Sequence, residues 1–384
     1  MARHLVVVGG GTAGSIVASR VAIDARDLVH QGKLRVTLVT EADDHLYQPG
    51  LLYLAFGRMT ASELHRRQSV LMPREVELRV GRVAAVDTAR RTVRMESGDE
   101  IAYDDLVLAT GSRPVPEEVP GLAQGGESFY TEAGATRLAD RLARFEGGRI
   151  VLAVGVPHKC PVAPLEFAFL LDDYLRERGL RERTEIVYTY PLGRLHSLEP
   201  VADWAAELLP ERGIVTETFF NLDSVDPERR VVHSMEGTDL EYDLLVAVAP
   251  HRGAEFLARS GDGAPLAGAG NWIPTDPRTL EVKGHPGVHA LGDATDLPIS
   301  KAGSTAHYQA EVVAANLVAD IRGGHGGHRY DGKVYCFIEA GRGEATYISF
   351  DYDTPPRPQP PTRLVHMFKL AFNRTYWLMP QGVL

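Results

Sequence analysis

The sequence predicts an α/β protein of two Rossmann-like dinucleotide-binding domains followed by a C-terminal amphipathic tail. Three observations carry this. A βαβ unit opens the chain: HLVVV over residues 4–8, the turn Gly9-Gly10-Gly11-Thr12-Ala13-Gly14, a helix beginning within TAGSIVASRVAI, and LRVTLV over 34–39 running into Thr40 and Glu41. The plan of residues 91–108 recurs over 229–248, where YDLLVAV stands for YDDLVLA. A strand ending in Leu291-Gly292-Asp293 returns late, ahead of a helix over 304–321. Short apolar β-branched runs read as parallel strands buried on both faces. A glycine turn between such a strand and a helix is the dinucleotide-binding arrangement.

The late strand splits the first domain, which is expected to comprise 1–113 and 275–330. Residues 106–111, LVLATG, supply another of its strands, and the alternating stretches 76–86 and 91–95 read as a small antiparallel insertion. The second domain is expected over 114–274: a helix over 130–145, a strand at 149–154, a helix over 164–178 and a strand at 185–190. Residues 331–384 form a C-terminal region. In it PPRPQPP at 355–361 is an extended connector and 362–384 a separate unit.

Bulk composition removes several function classes. The 384 residues carry a net charge of -10, which argues against a basic nucleic-acid-binding surface. No apolar run approaches the length of a membrane-crossing helix, and the N-terminus enters LVVVGGG without the features of a signal peptide. Two cysteines cannot build a disulfide framework, so a reducing compartment is expected and each cysteine is either inert core or chemically used.

The glycines come first in the chemistry. Gly9, Gly11 and Gly14 permit a tight turn, close approach of a pyrophosphate and close packing of helix on sheet. Thr12 and Ala13 begin the helix, whose free N–H groups and dipole attract phosphate. Glu41 ends the next strand and would bond ribose hydroxyls, although it lies 27 residues beyond Gly14, more than the usual distance of about 20. Ala109-Thr110-Gly111 follows a buried strand. Gly292-Asp293 can set a carboxylate on the ribitol chain of FAD. Val83 is assigned to the same cofactor site. The second unit has no such turn. Its strand ends in Gly155-Val156-Pro157-His158-Lys159-Cys160-Pro161, with one glycine and two prolines that stiffen the backbone and remove N–H donors. Poor use of NADH or NADPH is expected.

Cys160 occupies that turn, just before a helix starting near Pro164. A helix N-terminus, Lys159 and His158 would stabilise its thiolate, and Glu166, one turn on, would accept a proton. The bland reading is a buried, inert cysteine. Cys336, in Tyr335-Cys336-Phe337-Ile338-Glu339, reads by itself as a core residue on a strand.

The strings KCPVAPLEFAFLLDDYL around Cys160, CFIEAG at 336–341 and ISKAG at 299–303 make this chain resemble the sulfide:quinone oxidoreductases and the related flavoprotein subunit of flavocytochrome c sulfide dehydrogenase. Both belong to the FAD-dependent pyridine nucleotide-disulfide oxidoreductase-like flavoproteins, and the likeness runs over nearly the whole length. The resemblance implies that Cys160 and Cys336 face each other at the flavin, joined as a disulfide or by bridging sulfur. Sulfide would attack the oxidised pair. One cysteine would hold a persulfide, Cys336 would pass two electrons to the flavin, and a quinone would take them, with sulfur leaving as polysulfide or to a thiol acceptor. It further implies that Lys301 and Gly303 lie beside the flavin pyrimidine and the quinone pocket. Ala42 stands where some members attach FAD through a cysteine, so non-covalent FAD is expected. GGESFYTEAG lacks the third cysteine many members carry, which leaves room for slower or altered sulfur chemistry. His196, His251 and His307 are loosely placed, one a proton relay or each simply structural. Two rivals stand beside sulfide oxidation: a type II NADH:quinone oxidoreductase, and a flavin-containing sulfur-binding or redox-sensing protein.

The tail has no acidic residue after Asp353 but holds Arg357, Arg363, Lys369 and Arg374. Leu364, Phe368, Ala371, Phe372, Tyr376 and Met379 recur at helical spacing. Tyr376 and Trp377 suit a membrane interface. A monotopic anchor is expected, with the protein peripheral on the cytoplasmic membrane. A dimer or core helix is the alternative, which leaves homo-oligomer formation open and the protein cytoplasmic.

Overall fold

The computed structural model describes every residue except Met1, Ala264 and Leu384. The first sheet has five parallel strands in the spatial order Val288–Ala290, Asp105–Leu108, Arg3–Val8, Leu34–Thr40 and Val76–Val80. Its central strands are continuous apolar runs because both faces are covered. Helices Thr12–Asp24 and Gly303–Ile321 pack together on one face. An antiparallel ribbon of Val83–Asp87, Thr92–Met95 and Glu100–Ala102 covers the other.

This corrects the sequence reading of 76–86 as part of the antiparallel insertion. Val76–Val80 is the fifth parallel strand, in register with Val36 to Thr40. It lies at the sheet edge, so Glu77 and Arg79 reach solvent and Glu77 pairs with Arg35 at 2.6 Å. Edge exposure gives a parallel strand the alternation normally seen in antiparallel sheets.

The second sheet repeats the plan with four parallel strands, Ile214–Thr218, Thr184–Tyr190, Gly148–Val154 and Leu244–Val248, and its own antiparallel ribbon over Leu222–Glu241. The repeat extends to a register shift at the same point of each ribbon, between Val83 and Ala85 and between Leu222 and Ser224. The two crossings between the units, Arg113–Pro114 and His251–Arg252, pair antiparallel.

A hairpin of Val334–Gly341 and Glu344–Phe350 packs against the helix Ala163–Glu177. The last helix, Arg363–Thr375, lies on this hairpin, its N-terminus capped by the Thr362 hydroxyl, which accepts from the Val365 amide at 3.2 Å. The expectation of a separate tail unit is corrected here. The helix turns His366, Lys369 and Asn373 inward, and Tyr376 follows on the same side. Asn373 Oδ1 accepts from the Tyr47 hydroxyl at 2.6 Å. Tyr376 is buried, not interfacial. Its hydroxyl lies 2.8 Å from Thr12 Oγ1 and 2.7 Å from His45 Nε2, and His45 continues through Gln68 and Ser15 to the Gly10 carbonyl. Outward go Leu364, Met367, Phe368 and Phe372, with Met367 65 % and Phe368 57 % exposed. The helix is therefore amphipathic in the inverted sense: polar face in, apolar face out. Among the described residues no helix is long and apolar enough to cross a membrane.

Candidate active site

The glycine turn has two tasks divided between its residues. A side chain at Gly9, whose φ is +114°, would come within 2.2 Å of the Ala109 carbonyl oxygen, and one at Gly14 within 2.0 Å of the Gly9 oxygen. These two glycines let loop, helix and the neighbouring Ala109-Thr110-Gly111 turn meet. Gly11, by contrast, has nothing within 4 Å of a Cβ position and stands at the N-cap of Thr12–Asp24, whose N-terminus no side chain caps. Thr110 Oγ1 is buried beside this turn without a partner. Gly292, whose amide donates a hydrogen bond to Gln309 Oε1 at 2.7 Å, packs against Ala13, which brings Asp293 and the helix that begins at Gly303 to the same end of the sheet. Glu41, just past the end of Leu34–Thr40, has an exposed carboxylate 3.7 Å from Arg82, the residue before Val83. An uncapped helix terminus, an orphaned hydroxyl and an acid beyond the second strand fit a dinucleotide.

Cys160 lies where the second sheet turns back, in the left-handed region at φ +48°. Three main-chain bonds hold it there. Its amide donates to the Lys301 carbonyl at 2.6 Å, and its carbonyl accepts from the Ala163 amide at 3.0 Å and the Tyr130 hydroxyl at 3.2 Å. A strained residue fixed from several sides marks a site the fold has invested in. The bond to Lys301 joins the second domain to the cofactor side. The Lys301 ammonium donates to the Thr295 and Asp293 carbonyls at 2.6 and 3.2 Å and lies over the Trp272 ring. Cys336 reaches the same core from the hairpin, its sulfur 4.0 Å from Ser304 Oγ.

The expectation of a stabilised Cys160 thiolate is corrected. Burial, then the neighbouring Cys336, push the Cys160 thiol up to about 12, outweighing Lys369 and the Ala163 amide, which act the other way. Burial pushes Cys336 up to about 11 against the Ser304 hydrogen bond. His158 adds no charge, because burial lowers it to about 4 and its Nδ1 bonds the Lys159 carbonyl. The Lys159 ammonium is lowered by burial and turned to Gln48 Oε1 at 2.6 Å. Desolvation opposes every charge in this turn, so the reduced pair is two neutral thiols at neutral pH.

Glu166 is buried one turn into Ala163–Glu177, as its position suggested, but it does not stand alone. Its Oε1 accepts from the Glu339 amide at 2.9 Å and forms an ion pair with Lys369. Lys369, counted from the sequence among the basic residues of an expected anchor, is thus an interior residue. Burial pulls its ammonium well below the usual lysine range, and Cys160 acts on it in the opposite direction. The Glu339 carboxylate, in a residue 1 % exposed, accepts from the Tyr53 hydroxyl at 2.8 Å and lies 2.9 Å from His366 Nδ1. Tyr53, His366 and Lys369 had no local motif, and Glu339 stood only within CFIEAG with no role of its own. For His366 and Lys369 the one signal was the polar stripe 366, 369, 373, 376 along the tail. His196 and His251, by contrast, are fully buried and lowered by desolvation to about 4 and about 3, which makes them uncharged core residues. His307 is 3.4 Å from Glu311.

Two dinucleotide-type units, with one cysteine at the turn of the second and another brought back by a C-terminal strand, define a two-domain α/β oxidoreductase. The chain belongs to the pyridine nucleotide-disulphide oxidoreductase family, whose model matches residues 3–312. It is 27 % identical over 365 residues to the mitochondrial sulfide:quinone oxidoreductase of Mus musculus, covering 92 % of this chain and 79 % of that one. It is 24 % identical over 409 residues to the sulfide-quinone reductase of Aquifex aeolicus, covering all of this chain and 92 % of the relative. The X-ray structure of the Aquifex aeolicus sulfide:quinone oxidoreductase has the same fold, with a TM-score of 0.89 at 22 % identity over 99 % of this chain and 92 % of that chain. The protein is a flavoprotein oxidoreductase.

Proposed function

We propose that the protein oxidises sulfide, or a related sulfur species, through Cys160 and Cys336, and that the electrons pass by way of non-covalent FAD to a quinone. The observation that carries this is the tether of Cys160 to Lys301, which ties the reactive turn to the Gly292-Asp293 end of the cofactor cradle while Cys336 arrives from the hairpin. Gly9, Gly11, Thr12, Ala13, Gly14, Glu41, Val83, Ala109, Thr110, Gly111, Gly292, Asp293, Lys301 and Gly303 would hold FAD. Bound there, FAD supplies a two-electron carrier. Ala42 offers no thiol for a covalent link. In the oxidised protein, HS⁻ attacks the Cys160–Cys336 disulfide. A persulfide forms on Cys160, the S–S bond breaks, and Cys336 leaves with the electron pair it passes on. Lys369, whose charge acts on Cys160, and its ion-pair partner Glu166 handle the proton.

The turn at 155–161 disfavours the NADH rival. A side chain at Gly155 would meet the Val248 carbonyl at 2.8 Å, and the Pro157 carbonyl is taken by the His251 amide. Anaerobic stopped-flow mixing tests this: sulfide should bleach the flavin rapidly and quinone restore it, with NADH slow. Bleaching by NADH alone would establish the rival. A persulfide without quinone turnover would point to a sulfur sensor, the reading kept open by the absent third cysteine.

The tail supports a lipid-soluble acceptor. Tyr335, Phe337 and Phe372 form an aromatic lane from the strand of Cys336 to the outward face of the last helix. That face is apolar, is flanked by Arg363 and Arg374, and suits a bilayer surface. Met367→Glu with Phe368→Glu should abolish co-sedimentation with anionic liposomes while FAD content stays normal. Undiminished binding would sink the anchor, and a shift from dimer to monomer would assign the face to a second copy.

A further inference from the structure

We propose that His366 and Glu339, with Tyr53 aligning the carboxylate, form the inlet through which a proton reaches the quinone. This deepens the quinone reading and rests on it.

The strand Val334–Gly341 divides two environments. Side chains alternate across a strand. Cys336 therefore points to one side, towards Ser304, while Tyr335, Phe337 and Glu339 share the other, where the tail helix brings Phe372. The Glu339 carboxylate thus belongs to the face of the aromatic lane and not to that of the thiol.

A carboxylate so deeply buried is costly unless it is paired and hydrogen-bonded. Its two oxygens have different partners. One accepts from Tyr53, inside the protein, and the other meets His366 Nδ1. The His366 side chain is 22 % exposed, so the same ring that touches the buried oxygen also reaches water. An imidazole can take a proton at one ring nitrogen and release one from the other, which suits it to such a passage. The charged groups facing this carboxylate are few: His366 and Lys369 from the tail helix, and Glu166, which accepts from the Glu339 amide and pairs with Lys369. Two carboxylates and two bases make a balanced cluster. Lys369 and Glu166 pair with each other, which leaves the His366 ring as the one of these groups that both touches the carboxylate and reaches water.

The reaction needs such a path. A quinone becomes a quinol by gaining two electrons and two protons. The two electrons and one proton come with the reduced cofactor. The second proton crosses from His366 to Glu339 and on to a quinone oxygen, and His366 is then recharged from water.

The test uses the full-length holoenzyme and its two half-reactions, sulfide reduction of the flavin and its reoxidation by a short-chain quinone, followed across pH. His366→Ala should leave the sulfide half-reaction unchanged. Reoxidation should become proportional to proton concentration, falling about tenfold per pH unit on the alkaline side, and millimolar imidazole should restore it. Glu339→Gln keeps the shape and both contacts. It should slow reoxidation at every pH, and imidazole should not help. Reoxidation in both variants that matches the wild type would overturn the inlet. So would a loss in His366→Ala that is flat with pH and indifferent to imidazole, the mark of a structural role. If the wild-type flavin is reduced by sulfide but no quinone reoxidises it, the acceptor reading itself fails and the inlet falls with it.

Discussion

Cys336→Ser should keep its FAD and lose flavin reduction by sulfide, by on the order of a thousandfold or more, as expected when the one group able to make a bond is removed. A serine hydroxyl cannot close a disulfide with Cys160 or leave with an electron pair. The substitution is otherwise mild. The sulfur touches Ser304 in the half-buried part of the hairpin, and a hydroxyl can keep that contact. The cradle of Gly9 to Gly14, Ala109 to Gly111 and Gly292-Asp293 is built from other segments, so the visible flavin spectrum and FAD content should match the parent. The check is stopped-flow reduction by sulfide at the flavin absorbance. Parental reduction rates would remove Cys336 from the electron path and leave the cysteine as core.

Lys369→Met should destabilise the folded protein by ~3–5 kcal/mol, the usual cost of stripping one partner from a buried ion pair. Methionine fills the volume, so the loss is electrostatic: Glu166 would retain only the Glu339 amide. Adding Glu166→Gln removes the stranded charge and should return most of the stability. Thermal denaturation of the two single variants and the double variant measures the coupling. A Lys369→Met protein as stable as its parent would mean that the pair does not form. Recovery in the double variant without recovery of sulfide turnover would separate folding from proton handling.

The parts of this molecule legible in its sequence are those written locally. A βαβ turn is encoded within 41 residues, and Gly9, Gly11 and Gly14, which pack or open there, are all in it. The position of Cys160 at the turn of the second unit followed from the strand before it and the helix after it. Its ionisation did not, because desolvation depends on what distant segments bring to cover a residue. Tyr130, Cys336 and Lys301 all come from elsewhere in the chain. The tail shows the same limit. Helical spacing reveals that one face is apolar and the other polar, but not which is inside. In Arg363–Thr375 that choice is made by two buried carboxylates, Glu166 and Glu339, which give the polar face somewhere to go. Val76–Val80 was misread because strand direction is a property of the neighbour and not of the strand.

The string from Tyr376 through His45, Gln68 and Ser15 to Gly10 joins the end of the chain to the loop built for phosphate. A second tie, from Ser19 to the Pro380 carbonyl at 2.7 Å, pins the residues beyond it to the helix that follows that loop. Thermodynamic linkage is reciprocal. Whatever nucleotide stiffens the loop also fastens the terminus, and whatever lipid or protein draws the terminus away loosens the nucleotide. Departure from a surface and loss of colour then become two readings of one equilibrium.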